Sequence, residues 1–321
     1  MDPRSMIEVR AAHNGMGRGL FATVDIPMGT YILTESPVIL LSRSATPFQD
    51  FCDALSSIGT KMTEFEDLYC NVRLLNENLA GNIVTQIRSE DPQTPADVQN
   101  EDFRKFLKLY AIYHTNASII TKDNKDAGSA VFLTCSRINH SCVPNSYSIW
   151  NDKTDRQTIQ TGRDIKAGQQ IFVNYLGDRG DFMTHEQRLR QTQTHWGFTC
   201  NCRACTKPEI ADRVRRDMTS LRRSLDQSHQ KWPLVDSETR KAIALKAVQY
   251  AEELLRLMEE SELGGWKVCQ TYQDCARYNM YLGNEAEAVS YARRFLDTQE
   301  IFFGEDSIDR EWIEAIGLRF T

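Results

Sequence analysis

Hydrophobic spacing divides the chain into four stretches. In residues 6–41, "MIEVRAA" and "GLFATVDI" flank a glycine-containing "HNGMGRG", and "GTYILTESPVILL" follows. These runs are rich in Val, Ile, Leu and Thr and predict strands, with "DIPMGT" as a turn. The apolar period then lengthens. "FQDFCDALSSI", "EFEDLYCNVRLL" and "NEDFRKFLKLYAIYHTNA" carry helical spacing, separated by the polar loop "RSEDPQTPADVQN". Strand signals return over 130–176 in "AVFLTCSRI", "NSYSIW", "RQTIQTGRDI" and "QQIFVNY". From 207 to 321 every run reads as helix. The longest, "SETRKAIALKAVQYAEELLRLMEESEL", opens at Ser237 as the expected N-cap. The pattern predicts an α+β chain: a β-rich domain interrupted by helices, a boundary near Lys207–Pro208, then an all-α domain of stacked helix pairs.

Composition narrows the function classes. Of 321 residues, 38 are Lys or Arg and 44 are Asp or Glu, a net charge of −6. That balance does not call for nucleic acid as the main partner, and a basic protein suits it better. The opening "MDPRSMIEVR" lacks the apolar core of a secretion signal, and no apolar run is long enough to span a membrane. The nine cysteines are therefore expected as reduced thiols or metal ligands.

Three of those thiols crowd into "CNCRAC": Cys200, Cys202 and Cys205. Thiolates suit zinc, and a structural zinc takes four ligands. The spacing leaves one place open, for which Cys142, Cys135, His195 and His185 are candidates. In "NGMGRGLFA", alternating Gly15, Gly17 and Gly19 permit positive φ and close approach of a ligand. A dinucleotide-binding loop would have to open a helix, and a strand follows instead. A hairpin turn signalled by Asn14-Gly15 is the plainer reading. Arg18 there could meet a carboxylate. "RINHSCVPNS" is by itself a polar turn. Tyr175 in "FVNYLGD" is either a packed residue at a strand end or a phenol placed in a pocket.

Taken in order, "GMGRG", "NHSCVPN", "FVNY" and "CNCRAC" resemble the SET-domain protein lysine methyltransferases. The resemblance covers about 1–206. Its nearest branch looks like the SMYD type, which splits the SET domain with a helical insertion and adds a helical C-terminal region. One departure stands out. That type carries a MYND zinc finger, whereas between 41 and 110 this chain has only the isolated Cys52 and Cys70. The resemblance implies a SET domain over 1–206, with a helical insertion at about 46–115 and a zinc-binding post-SET segment at about 195–206. A TPR-like all-α domain over 207–321 would follow. It implies S-adenosylmethionine as cofactor, contacted by Gly17, Arg18, Gly19, Asn116, Asn139, His140, Tyr175 and Phe198. Zinc would be bound by Cys142, Cys200, Cys202 and Cys205, and Tyr175 would be the catalytic residue.

The implied activity is methyl transfer to a lysine presented by a protein, histone or other. A monomer acting in the nucleus or cytoplasm is expected, with neither membrane nor direct nucleic-acid contact. The competing reading is a non-catalytic SET and helical-repeat binding module that keeps zinc for structure. Zinc hydrolysis fits poorly, because an all-thiolate site has no open position for water.

Overall fold

The computed structural model describes residues 3–13, 15–44, 47–72, 77–90, 101–122 and 125–303. Asn14, residues 91–100 of the expected loop and the expected helix "DSIDREWIEAI" lie outside them. Strand β1 (Ile7–Ala11) and strand β2 (Arg18–Ala22) form an antiparallel hairpin, pairing Ala11 with Arg18 at its closed end. Strands β3 (Tyr31–Glu35), β8 (Ser146–Asn151) and β9 (Arg156–Thr161) make a sheet in the order β3-β9-β8. Strands β4 (Ile39–Ser42), β5 (Ser118–Lys122) and β6 (Lys125–Val131) make another, in the order β4-β6-β5. The short β7 (Asn139–His140) and β10 (Phe172–Val173) pair in parallel. Leu20, Ile26, Ile32, Ile138, Ile159, Ile165 and Ile171 close one core between these elements.

The helical insertion holds α1 (Pro47–Ser57), α2 (Met62–Glu66), α3 (Glu77–Glu90) and α4 (Glu101–Asn116). Residues 88–90 thus belong to α3 rather than to the loop expected there. The insertion has its own core. Phe51, Phe65, Tyr110, Ile112 and Tyr113 pack on Ile39 and Val131 of the second sheet. Fully burying such side chains contributes about 1.5–3 kcal/mol each, which holds the insertion on the second sheet.

After the short α5 (His185–Gln191) and α6 (Arg203–Thr206), four long helices follow. They are α7 (Pro208–Lys231), α8 (Ser237–Glu260), α9 (Trp266–Leu282) and α10 (Glu285–Phe303). Each packs on the next. In α8, Ala244, Ala247, Ala251, Leu254 and Met258 recur at steps of three and four and are all buried, which is one stripe of a helix. The expected Ser237 cap is corrected by one residue. Asp236 is the N-cap, extended at φ −70 and ψ 173, and its carboxylate accepts the Thr239 N–H at 2.8 Å. Both residue types cap well, and the backbone turns into the helix after Asp236 rather than after Ser237.

The helices are tied to the sheets by close approach. A Cβ on Gly162 would lie 2.2 Å from the Tyr147 ring, and one on Gly264 2.4 Å from the Phe302 ring. The absence of both lets Tyr147 of β8 meet Phe302 of α10 edge to face, with centroids 4.4 Å apart. Glu262, just past α8, pairs with both Arg163 and Arg203.

Inside the helical layer, Arg222 and Asp274 form a buried ion pair at 2.8 Å, with Asp274 only 2 % exposed. Arg222 also reaches the half-exposed Asp226, so removing Arg222, rather than Asp274, is what leaves a buried charge behind, with His229 as its remaining neighbour. Arg222→Ala is expected to destabilise the fold by about 3–5 kcal/mol in urea denaturation, whereas an exposed control such as Asp217→Ala should move it little. Equal, small losses in both would show that the pair carries no weight.

Candidate active site and cysteine cluster

The β1–β2 hairpin brings its glycines against β7. Gly15 and Gly17 have φ of +75 and +68, which only glycine adopts without strain. Gly19 is needed for closeness: a Cβ there would stand 2.3 Å from Gln170 Nε2 and 3.0 Å from Asn139 Nδ2. Asn139 donates its side-chain N–H to the Arg18 carbonyl at 3.0 Å, joining β7 to the glycine turn. The Arg18 guanidinium turns away from that junction and pairs with Asp67 at 2.6 Å, the carboxylate contact its planar fork favours. Of the expected cofactor residues, Arg18 therefore has its charged end already engaged.

Next in the chain, His140 sits buried with both ring nitrogens committed. Nδ1 accepts the Tyr175 backbone N–H at 3.1 Å, so in the neutral ring the proton is on Nε2, which faces Cys142 Sγ at 3.3 Å. Burial pushes the His140 pKa down to about 4, so the ring is neutral near pH 7. A ligand can meet His140 only at its ring face or backbone. Tyr175 stands two residues beyond the end of β10, and its hydroxyl donates to the Ile138 carbonyl at 2.6 Å. Burial pushes its phenol well above the usual range, so at neutral pH it is a hydrogen-bond donor and not a base. Rings gather around these two. Phe198 lies 5.8 Å from His140 and edge-on to Tyr175 at 6.3 Å, and Trp196 lies 5.2 Å from Tyr175. Asn116 is set differently, at the end of α4, where its amide donates to the Tyr69 and Ile112 carbonyls.

Directly behind His140 are the four thiols. The sulfurs of Cys142, Cys200, Cys202 and Cys205 all lie within 4.8 Å of one another, close enough to hold one metal ion. Cys142 is only 1 % exposed. Of the candidates for the fourth place, the fold brings in Cys142. Cys135 instead follows Thr134 under the Glu35 carboxylate, and the two histidines do not join the group. Two buried arginines flank the sulfurs. Arg188 donates to Cys205 Sγ at 3.8 Å and to the Ala204 carbonyl at 3.3 Å. Arg215, from α7, donates to the Cys142 carbonyl at 3.1 Å and the Gly180 carbonyl at 2.6 Å.

The glycine turn, the parallel strand pair and Cys142 fall within a family match, and the other three thiols lie just beyond it. Residues 17–176 match the SET domain family. The chain carries a SET domain. It is 28 % identical over 285 residues to Histone-lysine N-methyltransferase set5 of Schizosaccharomyces pombe, covering 85 % of this chain and 75 % of that protein. It is 25 % identical over 265 residues to Histone-lysine N-methyltransferase SMYD3 of Mus musculus, covering 78 % and 58 %. Against Histone-lysine N-methyltransferase SET5 of Candida albicans it is 34 % identical over 116 residues, 36 % of this chain and 22 % of that one. The chain thus spans less than two thirds of the length of most of these relatives. A solved SET domain of LSMT bound to lysine and AdoHcy aligns along 98 % of this chain and 95 % of that one. Its TM-score of 0.33 and 10 % identity are too low to support an argument.

Several residues that position the SET-domain site carry no local sequence signal. Glu35, at the end of β3, accepts the backbone N–H groups of Thr134 and Cys135 and so fixes the turn that leads into β7. Asp67 of the insertion takes Arg137 at 2.8 Å as well as Arg18. Asn71, buried, donates to the carbonyls of Thr194 and His195, at 3.4 and 3.1 Å. Its Oδ1 would lie 2.5 Å from a Cβ on Gly197, which turns at φ +76 between Trp196 and Phe198. An insertion residue thus abuts the aromatic wall. Each of these contacts joins residues at least 49 positions apart, which no sequence window spans.

Four thiolates this close repel one another unless a cation sits among them. The reduced protein is expected to carry one zinc ion per chain by elemental mass spectrometry, and Cys202→Ser to lose most of it. Metal-free wild-type protein that folds normally would contradict this.

Proposed function

We propose that the chain is a protein-lysine methyltransferase that uses S-adenosylmethionine. The observation that carries the reading is the convergence on β7. Asn139 reaches the glycine turn, His140 bonds the Tyr175 backbone, and Phe198 comes from the segment tied to Cys142. The relatives bearing the name histone-lysine N-methyltransferase agree with it, and histones are the first substrates to try.

The residues fit such a cofactor. Where a Gly17 Cβ would stand there is open space, and Gln170 Nε2 beside Gly19 is buried with no hydrogen-bond partner. Gly17, Gly19, Asn139, Asn116 and the faces of His140 and Phe198 would hold it. Arg18 would contribute its backbone, since its guanidinium serves Asp67. When bound, the cofactor supplies a methyl group on a sulfonium. The protein's part is to present a neutral amine in line with it. A free lysine has a pKa of about 10.4, so deprotonating it at pH 7 costs roughly 4–5 kcal/mol. A lysine held against the rings of Tyr175, Trp196 and Phe198 would meet a lower cost, because they exclude water from the amine. The protonated Tyr175 hydroxyl, held by the Ile138 carbonyl, orients the amine. Zinc fits the four thiols and serves to hold the 196–205 segment against β7. Four thiolates about a dication leave a formal charge of about −2, which the Arg188 and Arg215 guanidiniums offset.

No helix among the described residues is long and apolar enough to cross a membrane.

Tyr175→Phe tests the assignment. The ring and its packing stay, and one hydrogen bond to Ile138 goes, so stability should fall by about 1 kcal/mol. Calorimetric titration is expected to find S-adenosylmethionine binding nearly unchanged, while single-turnover methylation of a histone mixture drops on the order of a hundredfold. Full activity would make Tyr175 a packing residue only. Cofactor binding by wild-type protein that methylates no substrate in a cell extract would favour the binding-module reading.

A further inference from the structure

Helix α7 contains two adjacent arginine pairs seven residues apart, Arg215-Arg216 and Arg222-Arg223. The first member of each pair turns inward. Arg215 holds the Cys142 and Gly180 carbonyls, and Arg222 holds Asp274 and Asp226. The second members turn outward, and among the described residues neither Arg216 nor Arg223 has an ion-pair or hydrogen-bond partner. Together with Thr219 and Ser220 they stand at positions i, i+3, i+4 and i+7, a single stripe of the helix. It is the outward, cationic and hydroxylic face of the helix, opposite the buried Met218 and Leu225.

The stripe lines a groove of about 360 Å³ whose other wall is Phe182, Thr184 and Gln187. The groove is built and not merely exposed. The Thr219 hydroxyl donates to the Arg215 carbonyl at 2.7 Å and approaches the Phe182 carbonyl at 3.3 Å, tying the two walls together. Thr184 and Gln187 form a capping box, which fixes the Gln187 amide by its Oε1 and leaves Nε2 free to donate. Among the described residues no carboxylate lines the groove. Asp212 is engaged with the His185 N–H and Arg188, Glu186 with Arg190 and Asp226 with Arg222, and the exposed Asp217 beside Arg216 is not a lining residue. The unspent donors are two guanidiniums, the Ser220 hydroxyl and one amide.

We propose that this groove binds an acidic peptide segment of a partner protein, in extended polyproline II form. Seven helical residues span about 10 Å, and three residues of polyproline II chain, one full turn, span about 9 Å. Acidic side chains three residues apart on such a segment share one face and therefore place one carboxylate on each arginine, with the intervening backbone over Ser220 and Gln187. Guanidinium forks suit carboxylates, and Phe182 gives the segment an apolar floor. With Phe182 as the one aromatic ring among its lining residues, the groove offers little on which bases could stack, which makes nucleic acid the poorer occupant. The site is separate from the proposed methyl-transfer centre and does not depend on that reading.

The test uses the full chain and two fluorescein-labelled short peptides, one with glutamates three residues apart and one with glutamines in those places. Fluorescence anisotropy at low salt is expected to show the glutamate peptide binding at least about tenfold tighter, with the preference shrinking as salt rises. Arg216→Ala/Arg223→Ala should abolish the preference. Because both side chains are exposed, the variant should keep wild-type thermal stability and metal content. Arg213→Ala, which is not a lining residue, should bind as wild type. Equal binding of the two peptides, or an undiminished preference in the double variant, would overturn the proposal. Binding of a single-stranded RNA oligomer more tightly than the peptide, lost in the same double variant, would overturn the peptide as occupant.

Discussion

Everything at the centre of this molecule depends on bringing four sulfurs together. Cys142 follows the short strand β7, and the other three lie some sixty residues later beyond α5. Their mutual repulsion is a cost that the chain offsets with a cation site and with two buried guanidiniums. The result is a fixed point between segments that share little apolar surface. Cys142, Val143, Cys200 and Ala204, with Phe198 against them, make up a small cluster far smaller than the cores on either side. A core that small stabilises little by itself, so a metal held by the four thiols would supply the larger share of what holds the 196–205 segment.

That fixed point has consequences outward. Cys142 Sγ faces His140 Nε2, His140 Nδ1 faces the Tyr175 backbone, and the Tyr175 hydroxyl returns to Ile138 beside β7. The chain of contacts sets the histidine tautomer and leaves the phenol protonated. Arg215 extends it in the other direction, from the Cys142 carbonyl into α7. The helical layer is therefore joined to the site through a buried charge as well as through the Tyr147–Phe302 contact. The insertion joins it through Asp67 and Asn71, which grip the glycine turn and the post-SET turn from the same short segment.

Much of this was legible from the chain in order. Strand and helix runs follow from apolar period, because a half-buried strand alternates and a helix on a core repeats at three and four. The thiol cluster was legible because three ligands lie within six residues. The resemblance carried by "GMGRG", "NHSCVPN", "FVNY" and "CNCRAC" pointed to the matched family. Small errors fell where local chemistry is degenerate. Asp236 and Ser237 are both good caps, and only the backbone turn chooses between them.

Other facts were decided by the tertiary structure alone. Spacing left the fourth ligand among four candidates, and the folding of β7 against 200–205 selects Cys142. Arg18 sits in a cofactor-like motif, yet its guanidinium belongs to Asp67, forty-nine positions away. Arg215 and Arg216 are identical in sequence terms, and one is buried against carbonyls while the other faces a groove. The physical reason is common to all three. A local pattern fixes which face of an element a residue occupies, but a partner's identity depends on which distant element packs there. That choice is made by the summed burial of several cores and by no single residue's propensity.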